Sequence, residues 1–166
     1  MTELAKKQLR LCENVCSFMF NGDEKHLEEA VNDKDFDPNF YYSDFEEPMI
    51  HTLIYMTNDT KTEIANLMMA IGHLIHHPDF DPNATDKFGE TALAVCARRK
   101  ELTPIAKIIM ALPQTDLFCK SLTGLTLREL GNNYSNYSFL EELTKAEKND
   151  FEVQGIPHLR ASVAAS

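Results

Sequence analysis

The stretch Asp81-Pro82-Asn83-Ala84-Thr85-Asp86-Lys87-Phe88-Gly89-Glu90-Thr91-Ala92-Leu93-Ala94-Val95-Cys96-Ala97 decides the fold. A polar, turn-forming lead runs straight into a helix of small residues. Gly89 suits a tight turn that needs a positive φ or close backbone approach. Thr91 is placed to cap the helix, and Ala92, Ala94, Cys96 and Ala97 let a neighbouring helix stack closely. After a polar turn, Thr103-Pro104-Ile105-Ala106-Lys107-Ile108-Ile109 opens a second helix, with Thr103 expected as N-cap and Pro104 at the first helical position. Ile105, Ile108 and Ile109 then share one apolar face.

Working outward, the same lead recurs. Asp35-Phe36-Asp37-Pro38-Asn39 returns as Asp79-Phe80-Asp81-Pro82-Asn83, an offset of 44 residues. Pro78 pairs with Pro113, Asp81 with Asp116, Gly89 with Gly124 and Thr91 with Thr126 at an offset of 35. Two offsets in one chain describe a repeat with an insertion. The earlier unit runs from Asp37 through Pro48-Met49-Ile50-His51-Thr52; Glu46 stands where Gly89 would, and the lead is one residue longer. Its second helix starts at a capping-box match, Thr60-x-x-Glu63, and continues through Ile64, Leu67, Met68, Ile71, Leu74 and Ile75, which accounts for the extra length. Residues 9–20 and 26–31, joined by Asn21-Gly22-Asp23, predict a first helix pair, and residues 124–131 with 139–143 predict a last one.

These residues resemble the ankyrin repeat, whose pattern is D-x-x-G-x-T-P-L-H-x-A-A followed by an amphipathic outer helix. The resemblance implies an all-α fold, an ankyrin-repeat solenoid of helix-turn-helix units with β-hairpin fingers. It places an ankyrin-repeat domain over 1–146, with units at about 5–36, 37–80, 81–115 and 116–146, and leaves 147–166 as a frayed C-terminal tail. His51 falls in the histidine slot of the pattern, which implies a bond to backbone between neighbouring turns.

The resemblance further implies a non-catalytic adaptor or regulatory subunit that binds another protein through its concave surface. The finger tips hold Tyr41, Tyr42, Phe45, Lys87, Phe88 and Leu122, aromatic and apolar types suited to interface anchors. Thr52, Tyr55 and Met56, and the basic triplet Arg98, Arg99 and Lys100, extend that surface along the inner helices. Asp44, Glu46 and Glu47 face the triplet to make a polarised groove. In size and architecture the chain is similar to the small ankyrin inhibitors of cyclin-dependent kinases and to small ankyrin regulators of the fly cell cycle, which leans the expected partner towards a protein kinase with a basic surface. A second branch resembles the short inhibitors that mask Rel-type transcription factors.

Charge bears on the partner. The chain of 166 residues carries 16 Lys and Arg against 26 Asp and Glu, a net −10, and residues 1–83 hold 6 basic and 16 acidic side chains while 84–166 hold 10 of each. An acidic first half repels phosphate backbones and anionic lipid, so neither nucleic acid nor membrane is expected as partner. No apolar run reaches the ~18 residues a membrane span needs, and the expected location is cytoplasmic or nuclear. Cys12, Cys16, Cys96 and Cys119 read as small buried hydrophobes rather than a disulfide framework.

No nucleotide, dinucleotide or nucleophile-elbow motif is present, and the chain is read as no enzyme, without catalytic residues, cofactor or metal. The rival reading is a metal-dependent enzyme built on His73, His76 and His77, whose spacing of three and four would set three imidazoles on one helical face. A third is a structural brick that self-associates through Tyr41, Tyr42 and Phe45.

Overall fold

The computed structural model describes residues 2–42 and 47–154. They form a mostly helical protein with eight α-helices and almost no strand. In chain order these are α1 (Glu3–Asn21), α2 (Glu24–Val31), the two-residue strands β1 (Tyr41–Tyr42) and β2 (Glu47–Pro48), α3 (Met49–Met56), α4 (Lys61–Leu74), α5 (Ala92–Arg98), α6 (Thr103–Met110), α7 (Leu127–Asn133) and α8 (Tyr137–Gln154).

Most helices begin where a hydroxyl or carboxylate can take an orphan amide. Thr2, Asp23, Thr60, Thr91 and Thr126 accept from the residue three further on, and Glu63 and Glu129 return the bond to complete capping boxes at α4 and α7. Each such cap is worth about 1 kcal/mol. Helix α3 has Pro48 at this position and no side-chain cap.

The helices pair as α1/α2, α3/α4, α5/α6 and α7/α8. The first members of successive pairs touch in the order α1, α3, α5, α7, and the second members in the order α2, α4, α6, α8. One continuous core results, running from Cys12, Val15 and Leu27 through Leu53, Leu67 and Ile71 to Leu93, Ile105, Leu130 and Phe139. The small residues foreseen on α5 are all buried there, which lets α3 and α7 approach from either side.

Between the pairs the lead segments fold alike. Strand β1 pairs antiparallel with β2, Tyr41 opposite Pro48 and Tyr42 opposite Glu47, and single bridges join Thr85 to Thr91 and Lys120 to Thr126. Gly89 and Gly124 turn the last two of these with φ of 77° and 78°, and their amides donate to Asp86 and Ser121 carbonyls at 2.9 Å. The carboxylates of Asp37, Asp81 and Asp116 each accept the amide two residues on, at 2.8 Å in all three.

Asparagine then links one lead to the next. Asn39 Nδ2 donates to the Asp79 carbonyl at 2.6 Å while its Oδ1 accepts from the Asp81 amide at 2.9 Å. Asn83 does the same with the Gln114 carbonyl and the Asp116 amide, both at 2.7 Å. The third lead carries Phe118 at this place, and the ladder ends.

Two boundaries differ from expectation. Thr103 is the first helical residue of α6 rather than its N-cap, because a 3-10 turn over Lys100–Leu102 winds the chain in and the Thr103 hydroxyl donates to the Lys100 carbonyl at 2.9 Å. Helix α8 runs on to Gln154, so residues 147–154 are helical where a frayed tail was expected from 147, and 155–166 lie outside the described residues. Ala146 packs on the core and Glu147 is ion-paired with Arg128 of α7, so the helix is anchored where that stretch begins. Among the described residues no helix is long and apolar enough to cross a membrane. Cys12, Cys16 and Cys96 are buried, with burial pushing their thiols up to about 12, and burial also raises half-buried Cys119. Burial disfavours the thiolate at all four.

Candidate protein-binding surface

The residues proposed as interface anchors divide into those that face solvent and those the fold consumes. Tyr41, on β1, is 53% exposed, and its hydroxyl donates to the Thr85 carbonyl of the next lead at 3.1 Å. Tyr55, at the end of α3, is 44% exposed and donates to Asp86 Oδ2 at 3.1 Å. Phe88 is 53% exposed, with Lys87 Nζ 5.4 Å from its ring centroid, and Leu122 is 65% exposed. Lys87 and Lys100 are exposed as well. Tyr42 pairs with Glu47 through backbone, and its side chain lies outside the described residues, as do Phe45, Asp44 and Glu46.

Two buried carboxylates hold this surface together. Asp86 Oδ1 accepts the amides of Phe88 at 2.8 Å and Glu90 at 2.9 Å, while Oδ2 takes the Tyr55 hydroxyl. Glu90 binds the Arg98 guanidinium through both oxygens and accepts the Leu122 amide at 3.1 Å. Its carboxyl is held below the usual range by the Arg98 hydrogen bonds, and Arg98 is raised in turn by the same pair. Tyr55, Phe88 and Leu122 therefore hang on one network that crosses from α3 to the second and third leads.

Beneath it, His51 Nε2 donates to the Glu90 carbonyl at 2.9 Å, the link between neighbouring turns implied for that slot. Burial lowers the His51 pKa and so favours the neutral ring. Its Nδ1 has no partner, and Pro48 supplies no hydroxyl where Thr91 and Thr126 stand in the later units.

Several anchors foreseen from sequence are corrected by burial and pairing. Thr52 is only 4% exposed and Met56 packs against the core, because α3 is enclosed on nearly every side. Arg98 belongs to Glu90. Arg99 is bonded to Asp59 and donates to the carbonyls of Ile54 and Thr57 at 2.9 and 3.0 Å, which fastens the loop between α3 and α4. Of the basic triplet only Lys100 is exposed. Glu47 is buried on β2, where burial raises its pKa, so it offers no acidic wall. Tyr134, exposed at the end of α7, is a residue the sequence reading missed.

The three histidines do not share a face. Helix α4 ends at Leu74, short of Pro78, and the rings diverge. His73 Nε2 lies 3.9 Å from Glu24, His76 Nδ1 donates to the Gly72 carbonyl at 2.5 Å, and His77 sits edge-on to Phe36 with ring centroids 5.9 Å apart. No family model matches the chain, and neither a curated protein nor a solved structure matches it.

Proposed function

We propose that the protein is a non-catalytic, ankyrin-type adaptor or regulatory subunit that holds another protein through the surface carrying Tyr41, Tyr55, Phe88 and Leu122. One observation carries this reading: four exposed apolar or aromatic side chains stand on three successive leads and a helix end, with Tyr55 and the backbones of Phe88 and Leu122 bonded to the Asp86 and Glu90 carboxylates and Tyr41 bonded to the Thr85 carbonyl. Large side chains at the surface cost solvation unless a partner covers them, and anchors held in place before binding lose little entropy on association. The repeated Asp-Pro-Asn leads, their asparagine ladder and the stacked helix pairs support the ankyrin reading. The partner favoured by size and architecture is a protein kinase of the cell cycle; a basic surface on it would match the net −10 of this chain.

Affinity capture of the full chain from its own cells, with a Phe88→Ala/Leu122→Ala variant as control, tests the reading. A protein held by the wild type and lost from the variant, while the variant melts as the wild type does, supports it, and a kinase among the lost proteins supports the finer assignment. A partner held equally by both removes this surface from the account.

A further inference from the structure

Away from that surface, helix α2 carries Glu24 and Glu28 four residues apart, so both carboxylates lie on one helical face. Helix α4 packs against α2 and brings His73 to the same spot. One ligand atom from each of Glu24, Glu28 and His73 lies within 4.8 Å of the other two. A point central to three such atoms is no more than about 2.8 Å from any of them, and bonds of about 2.0–2.2 Å need only small side-chain rotations to form.

Apart from His73 itself, no cationic side chain among the described residues is paired with the two carboxylates. Neighbouring Lys25 is turned to Glu29 at 3.7 Å, and among the described residues no Lys or Arg is paired with Glu24 or Glu28. Like charges four apart destabilise a helix, so the arrangement costs stability unless something positive sits between them. Two carboxylates would neutralise a dication, and an imidazole donor selects zinc-type metals over magnesium or calcium. Half-buried His73 stands in the last turn of α4, where the helix dipole also favours positive charge.

From this geometry we propose that Glu24, Glu28 and His73 bind a zinc-type divalent ion, with water completing the shell, and that the ion clamps α2 to α4 and so joins the first helix pair to the second. No redox or hydrolytic role is assigned to it. His76 and His77, engaged with Gly72 and Phe36, take no part.

The test uses the full chain freed of metal by a chelator and dialysed. Zinc chloride alone is titrated calorimetrically, and cobalt(II) is followed by its visible spectrum. The wild type should take up one equivalent and melt at a higher temperature with zinc present. Glu28→Gln, isosteric and at an exposed site, should weaken binding by at least about tenfold and abolish the zinc-dependent rise in melting temperature. His73→Ala should weaken binding similarly, while His76→Ala and His77→Ala should bind as the wild type does. Absence of saturable binding, equal binding by Glu28→Gln, or loss of binding in the His76 or His77 variant would overturn the assignment.

Discussion

Replacing Asn83 by Ala cuts the ladder between the second and third leads. The side chain makes two bonds at 2.7 Å, one to the Gln114 carbonyl and one from the Asp116 amide, and both partners lie at the surface. A net hydrogen bond is worth about 0.5–1.5 kcal/mol, and water can replace the lost partner at an exposed site, so the pair should contribute about 1–2 kcal/mol. At roughly 2–4 °C per kcal/mol for a domain of this size, the melting temperature should fall by about 2–8 °C. Thermal and urea unfolding followed by far-ultraviolet circular dichroism reads both numbers. Asn39→Ala should cost the same, since its bonds repeat the geometry 44 residues earlier, and the two losses should add to within about 0.5 kcal/mol. Asn133→Ala, at the exposed end of α7, should change stability by less than about 0.5 kcal/mol. If Asn83→Ala melts as Asn133→Ala does, the ladder does not hold neighbouring leads together and the reasoning fails.

Gly124→Val should destabilise the last unit by about 1–3 kcal/mol, measured by urea unfolding; nothing stands within 4 Å of the added Cβ, and the backbone at φ 78° is strained for any L side chain. Pro48→Thr should raise stability by about 0.5–1 kcal/mol, because a hydroxyl gains the α3 cap and faces the orphan His51 Nδ1, less the chain entropy that proline removes from the unfolded state. Stability should also fall with acid in two separate windows. His51 is lowered from 6.5 by burial, so its contribution is complete above 6.5 and is lost as the pH drops through its folded value; His51→Gln, which keeps a donor for the Glu90 carbonyl, should flatten that part of the curve. Glu90, lowered from 4.5 by Arg98, contributes above 4.5 and is lost as the pH falls through its folded value, and Glu90→Gln should shrink the second fall, to which Asp33, Glu63 and Glu129 also contribute, while leaving the first.

The helix pairs were legible because their signals are local. Gly89, Gly124, Thr91, Thr126 and the Thr60/Glu63 box each act within a few residues of their own position, and all do what the pattern implies. The Asp-Pro-Asn repeat was visible too, but nothing in it says that the asparagine reaches 40 residues ahead to bind the next lead. The misread site residues share that cause. Arg99 looks like a free charge until Asp59 and the Ile54 and Thr57 carbonyls arrive from the preceding loop, and Arg98 until Glu90 closes on it. Thr52 and Met56 belong to a helix of eight residues packed by neighbours on several sides, where helical periodicity marks no outer face. His73, His76 and His77 were spaced for one face on the assumption that α4 continued, and it stops at Leu74.

The most direct test of the proposed surface is hydrogen exchange on the full chain, alone and bound to its captured partner, resolved to short peptides. New protection is expected over residues 40–42, 85–91 and 120–126, where Tyr41, Phe88 and Leu122 stand, with α4 and α6 exchanging as before. Protection confined to α4 and α6, with those three leads unchanged, would place the partner on the opposite helices and contradict the proposed surface.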